Sequence, residues 1–397
     1  MKESAPLQVP FFRPSLGPDE EAAVLAVMRS GWLTTGNEAL AFEQDFAAFT
    51  GAAHALAVNS ATSGLLLAMD ALGVGPGTAV VTTPYTFVST ALAAIHLGAR
   101  ILYADVEKDT YNIDPLAVEA CLAKGGKDVR AIVPVHVGGA LADMAAITEI
   151  ARRACVKNPR VAVIEDAAHA FPSRTVAGFA GTLGDAGVFS FYANKTITTG
   201  EGGMVCLRDK EAAQRVGTLR LHGIDRPVWN RYTSPASSWE YDVVAPGWKC
   251  NLPDILAAIG RVQLKKADSF LKSRMAVAQA YNRAFAACDF LQIPPDGEGN
   301  AWHLYLLRIV PEKLRINRDE FMARLQEAGI GVSMHFIPHY RFSWLKNHYE
   351  LDGGRFPNAE RRFQATISLP LWPGMTGEQA AAVVNGVIAI GVSHYAR

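Results

Sequence analysis

Apolar and polar positions alternate in blocks along this chain, and the blocks come in two lengths. Short apolar runs recur at 55–58, 79–82, 100–104, 131–135, 161–164 and 187–191. Longer stretches at 18–30, 38–50, 65–72, 89–97, 114–123 and 144–154 space their apolar residues three and four apart. A short continuous run predicts a buried strand, and the 3.6-residue period predicts a helix. Regular alternation of the two with short connections predicts a mainly parallel sheet flanked by helices, an α/β architecture. End signals agree with this reading. Pro18 opens the first helix and Gly31 stops it, while Phe42, Phe46 and Phe49 share a face of the second, which Gly51 closes.

Beyond about residue 264 the pattern changes. It predicts a helix over 266–287, a strand over 303–310 and a helix that starts at the capping pair Asn317 and Glu320 and stops at Gly329. A strand over 331–340 and a closing helix over 377–390 complete it. The expectation is a large domain over 1–264 and a smaller C-terminal α+β domain over 265–397. Segment 227–246, rich in Trp, Tyr, Ser and Pro, has no clear period and predicts a long functional loop.

The chemistry concentrates in 161–207. Four apolar residues run into Glu165 and Asp166, which predicts a strand delivering carboxylates to its carboxyl end, where ligands sit in open α/β sheets. A second strand leads to Ser190, Asn194 and Lys195, then to Gly200, Gly202 and Gly203. A desolvated lysine at a strand exit suits Schiff-base chemistry, and pyridoxal phosphate (PLP) enzymes pair such a lysine with an aspartate. The competing reading of Asp166 and Lys195 is a buried salt bridge, an arrangement that is costly to desolvate. Thr62 and Ser63 stand at a helix start, where hydroxyls either cap the helix or join its N–H groups in holding an anion.

Composition narrows the classes. The 38 basic residues balance 38 acidic ones, which argues against a chain built to coat nucleic acid or an acidic membrane. Cys121, Cys155, Cys206, Cys250 and Cys288 are scattered without a CxxC pair, so reduced thiols are expected and no disulfide framework or zinc site is indicated. The first residues lack an apolar signal core and no run reaches ~18 apolar residues, so a cytoplasmic protein is expected. His335 and His339, four apart, would bind zinc from a helix face, but Pro338 argues against a helix there. They are read as polar groups facing a substrate, and no metal site is expected.

In their order, EDAAHA at 165–170, GDAGVFSFY at 184–192 and NKTITTGEGGMV at 194–205 resemble the PLP-dependent nucleotide-sugar aminotransferases of the DegT/DnrJ/EryC1/StrS family. The resemblance runs from about residue 11 to residue 376. It implies the PLP-dependent transferase fold type I. It also implies that Lys195 carries PLP and moves the proton, Asp166 holds the pyridinium nitrogen, and His169 lies near the ring's 3-oxygen. Phe87 is implied to stack on the ring, with Thr62, Ser63 and Ser190 at its phosphate. The matching asparagine in relatives belongs to a site shared across a homodimer, so Asn251 is expected to reach the partner's cofactor phosphate. Trp32 and Thr34, in the loop SGWLTTG, join His335 and His339 as expected substrate contacts.

The implied reaction moves an amino group from glutamate, or glutamine, to a nucleotide-linked keto sugar. The ITTGEGG run most resembles members such as perosamine synthases, which aminate a 4-keto-6-deoxy sugar. Three alternatives stay open: a 3-keto sugar aminotransferase, a PLP-dependent sugar dehydratase and a non-catalytic regulator. Dehydratases of this kind carry histidine where this chain has Lys195, and a regulator would be expected to have lost Lys195 or Asp166.

Overall fold

The computed structural model describes residues 7–155, 160–225 and 240–396. Its centre is a seven-stranded sheet in the order β1-β9-β8-β5-β4-β2-β3. The strands are β1 (His54–Val58), β2 (Ala79–Thr82), β3 (Arg100–Tyr103), β4 (Val129–Ile132), β5 (Ala162–Asp166), β8 (Ala186–Ser190) and β9 (Gly203–Leu207). A short hairpin, β6 (Arg174–Thr175) with β7 (Gly178–Phe179), stands apart. Neighbours from β8 through β3 pair in parallel, and β9 alone runs against both β8 and β1. The carboxyl ends of β1, β2, β4, β5 and β8 therefore share an edge with the start of β9. Helices cover both faces, as the alternating blocks predict.

Strand alternation sorts the side chains near that edge. On β8 and just beyond it, Phe189 and Phe191 turn to one face. There they meet Phe46 at ring distances of 5.1 and 5.7 Å. Ser190, between them, is left to the opposite face. On β5 the acid pair separates in the same way. Glu165 is fully buried and accepts hydrogen bonds from the backbone N–H groups of Gly181, Leu183 and Gly184, each at 2.7 Å, and contacts His136 Nε2 at 2.9 Å. Only Asp166 faces the site. The sequence pattern read the two carboxylates as one delivery of charge, whereas the pleat assigns one to architecture and the other to chemistry.

The smaller unit is an antiparallel sheet of β10 (Leu291–Gln292), β11 (Tyr305–Ile309) and β12 (Thr366–Leu369), backed by helices Arg318–Glu327 and Gly377–Ser393. Asn317 and Glu320 form the expected capping box. The expected boundary at 264/265 falls inside one continuous helix, Asp254–Phe285, of 32 residues. No Gly or Pro interrupts it after Gly260, so it runs about 48 Å at 1.5 Å per residue. Its Arg274, 2% exposed, donates to the carbonyls of Trp302, His303 and Leu371, tying the helix to the small unit.

Two expectations change. Segment 331–340 is not a strand: it makes one bridge, Ser333 to Ser368, and Pro338 leads into a 3-10 turn at His339–Arg341. Helices Lys210–Leu219, Ser343–Tyr349 and Pro357–Ala365 add to those the periodicity predicted. Most of the expected loop at 227–246 lies outside the described residues. Among the described residues no helix is long and apolar enough to cross a membrane, and no group of three metal-ligating side chains occurs.

Candidate active site

A cavity of about 490 Å³ opens at the sheet edge where β5, β8 and the start of β9 meet. Seven expected site residues line it: Lys195, Asp166 and His169 together with Thr62, Phe87, Ser190 and His335. Asp166 is brought there by β5, and Lys195 by the turn after β8, where its N–H is bonded to the carbonyl of Tyr192 at 2.9 Å.

Electrostatics inside the cavity follow from burial. Lys195 is partly buried, and loss of water brings its amine down to about 7, a fall that the Asp166 carboxylate opposes and Arg274 deepens. Asp166 is pushed up by its own desolvation, against a 2.8 Å hydrogen bond from the Thr90 hydroxyl and the N–H of Ala168. Thr86 and Thr90 are in turn 3.1 Å apart through their hydroxyls. His169 is held well below the usual imidazole range by burial and by Lys195, and His335 is brought down to about 4. Near neutral pH both imidazoles are uncharged. His169 Nδ1 accepts from the N–H of Gly138 at 3.4 Å, which leaves the proton on Nε2.

Five expected residues lie outside this cavity. Ser63 is engaged in the helix cap: its N–H donates to Ser60 Oγ at 3.1 Å, and the two hydroxyls meet at 3.0 Å. Ser60, and neither Thr62 nor Ser63, is the N-cap of helix Ala61–Ala71. His339 is fully buried in the wall behind, contacting the carbonyl of Thr86 and Tyr103 Oη. Trp32, Thr34 and Asn251 gather elsewhere, at the start of the long helix. The Thr34 carbonyl accepts from the N–H of Asp254, Trp32 Nε1 donates to the Thr35 carbonyl, and Asn251 Nδ2 donates to Thr35 Oγ1 at 2.5 Å. Asn251 also bonds Lys249 and pairs with Val58, so its segment lies against β1 of its own chain and does not extend away from it.

Sequence reasoning missed Thr90 and His303. Thr86 and Thr90, four apart at a helix start, were a usable signal for the former. His303 reads as an ordinary strand residue, yet its ring lies 4.4 Å from that of His169 and neither of its nitrogens has a partner among the described residues. His136, past the end of the neighbouring strand β4, belongs to the Glu165 network.

Comparison with known proteins identifies the family. Residues 14–388 match the family model of the DegT/DnrJ/EryC1/StrS aminotransferase family. The chain is 42% identical over 382 residues to the spore coat polysaccharide biosynthesis protein SpsC of Bacillus subtilis (strain 168), covering 96% of each. Spr1654 of Streptococcus pneumoniae in its PLP form superposes with a TM-score of 0.90 at 26% identity, covering 98% of this chain and 99% of that one. Helicobacter pylori PseC, an aminotransferase involved in the biosynthesis of pseudoaminic acid, gives 0.89 at 28% identity over 98% of this chain and 100% of its own. Matched over nearly its whole length, this chain belongs to the DegT/DnrJ/EryC1/StrS aminotransferase family and is a PLP-dependent aminotransferase of fold type I.

Proposed function

We propose that the enzyme moves an amino group from glutamate, or glutamine, to C4 of a nucleotide-linked 4-keto-6-deoxy sugar, with Lys195 as cofactor anchor and proton carrier. The observation that carries this reading is a lysine amine in one cavity with a buried carboxylate, where desolvation brings the amine down toward neutrality.

The lining suits PLP. Asp166, braced by Thr90, offers a carboxylate to a pyridinium nitrogen. Asn194 Oδ1 is buried in the cavity wall without a protein donor. His169 Nε2 carries a proton it can donate to the 3-oxygen. Thr62, in the first turn of its helix, and Ser190 suit the phosphate. Phe87, 59% exposed, gives the ring an apolar face. Bound PLP supplies an electron sink at the amino-bearing carbon. Lys195 Nζ, close to neutrality in pKa, would take a proton from that carbon and deliver it two atoms away, which is the protein's part in a 1,3-proton shift. A lysine at this position speaks against the dehydratase alternative, and Asp166 with Lys195 intact speaks against a regulator.

On the substrate side, His335 is uncharged within the cavity, and with Nδ1 engaged by Ser368 Oγ at 2.9 Å its Nε2 is left to a sugar hydroxyl. The ITTGEGG run and the polysaccharide and pseudoaminic acid contexts of SpsC and PseC support a sugar acceptor. Trp32, Thr34 and Asn251 lie together but outside their own chain's cavity. A role for them at a cofactor and sugar site is therefore read as service to the partner subunit's site in a homodimer.

Lys195 titration is the first test. In cofactor-free protein, acylation of Lys195 should show a midpoint near pH 7, and Asp166→Asn should lower it further, because the carboxylate raises this pKa. The folded pKa lies below the ordinary 10.5, so between about 7 and 10.5 the unfolded chain holds the extra proton. This group's contribution to stability therefore rises with pH across that window. Competitive labelling read by mass spectrometry checks the midpoint, and a value shared with exposed lysines contradicts it.

A panel of nucleotide 3-keto and 4-keto sugars, each with glutamate and with glutamine, tests the acceptor. Mass spectrometry should find an aminated product from the 4-keto-6-deoxy compound. Turnover confined to free 2-oxo acids would overturn the sugar assignment.

Mixing Lys195→Ala with Asn251→Ala subunits tests the shared site. In a dimer built in trans, each heterodimer holds one intact site, so an equimolar mixture should recover about a quarter of wild-type activity. Recovery no greater than the mean of the two parents would mean that each site is built within one chain.

A further inference from the structure

A second cavity, of about 1050 Å³, lies between β11 and the helices Ser343–Tyr349 and Pro357–Ala365. It shares no lining residue with the cavity of Lys195. Five cationic side chains line it, against three carboxylates. Arg341, Lys346 and Arg361 are exposed at its rim. Arg308 and Arg362 are deeper, 3% and 4% exposed.

The two deep guanidiniums are poorly provided for by the protein. Arg308 projects from β11 on the face opposite Leu307 and Ile309, which turn into the small unit's core. Its charge lies over the Tyr111 ring at 5.9 Å, and no described residue accepts a hydrogen bond from it; its Nε is wholly buried. Arg362 lies 5.7 Å from the same ring and donates through Nε to the Thr110 carbonyl at 3.0 Å, while its Nη2 is buried without an acceptor. Of the cavity's carboxylates, Glu360 is engaged by Arg341 and Gln364. Asp109 acts on Arg308 only through space, and Glu360 Oε2 is itself buried without a partner among the described residues. A buried cation with no bonded counter-charge is expensive, and buried polar groups are otherwise almost always partnered. Guanidinium forks match the paired oxygens of a phosphate.

We propose that this cavity is a second anion site, taking a small phosphate-bearing ligand on Arg308 and Arg362, with Arg341, Lys346 and Arg361 at its mouth. The site adjoins a junction between the two units. There helix Pro357–Ala365 docks through the N–H groups of Asn358 and Ala359 onto Asp105, both at 3.0 Å. Occupancy should therefore strengthen that docking.

The test uses PLP-loaded enzyme, so that the cofactor's own phosphate site is filled. Inorganic phosphate and pyrophosphate are titrated by calorimetry at constant ionic strength in chloride. Saturable binding of either anion, one per chain, is expected, with a rise in melting temperature. Arg308→Met and Arg362→Gln should each weaken it about tenfold or more, leaving PLP content and the basal amination rate as in wild type. Absence of saturable binding, or affinity unchanged in both variants, would overturn the site. If Arg308→Met does not fold, Arg362→Gln and the rim variant Arg361→Gln decide the matter on the same criterion.

Discussion

Removing an amine from water while leaving it beside a carboxylate sets the character of Lys195, and much of the large unit is arranged to meet that condition. Desolvation lowers the amine toward neutrality and Asp166 opposes the fall, so the balance depends on where β5 and the turn after β8 end. Those ends are fixed from the far side of the sheet. Glu165 gathers three backbone N–H groups from the 181–184 turn, and the cluster of Phe46, Phe189 and Phe191 fills the face opposite Ser190. Adjacent residues on one strand thus divide the work. Glu165 and Phe189 hold position, while Asp166 and Ser190 face the cavity.

The small unit completes the site through a few polar contacts. Arg274 joins the long helix to three carbonyls, and the turn at Gly138 and Gly139 receives the N–H groups of Leu304 and Ala301. Gly139 has φ +101°, and a Cβ there would meet the backbone N of Trp302 at 3.0 Å, so the close approach needs glycine. The neighbouring Gly138 also donates to His169 Nδ1. One turn therefore both docks the small unit and determines which nitrogen of His169 carries its proton.

Much of this was legible in the sequence, and the parts that were not have physical reasons. The blocks at 79–82 and 18–30 matched their elements because buried parallel strands and capped amphipathic helices carry strong local signals. Lys195 and Asp166 were legible as cavity residues because each stands at or just past a strand end in an open sheet, whereas His169 rested on the family resemblance. Segment 331–340 misled because apolar alternation there reflects packing of a loop between two units and no ladder. Helix Pro357–Ala365 is rich in charge, and its buried face includes Arg362 as well as Ala359 and Ala365, so apolar spacing could not reveal it. Asn251 and Trp32 lie outside the cavity that holds Lys195, which local pattern does not reveal.

Lys195, among all the lysines of this chain, is proposed to carry the cofactor. Borohydride reduction of the PLP-loaded enzyme, followed by peptide mapping, tests it directly. The reduced pyridoxyl group is expected on the peptide containing Lys195, with loss of that label and of transamination in Lys195→Ala. A stoichiometric label on Lys249 or any other lysine would contradict it.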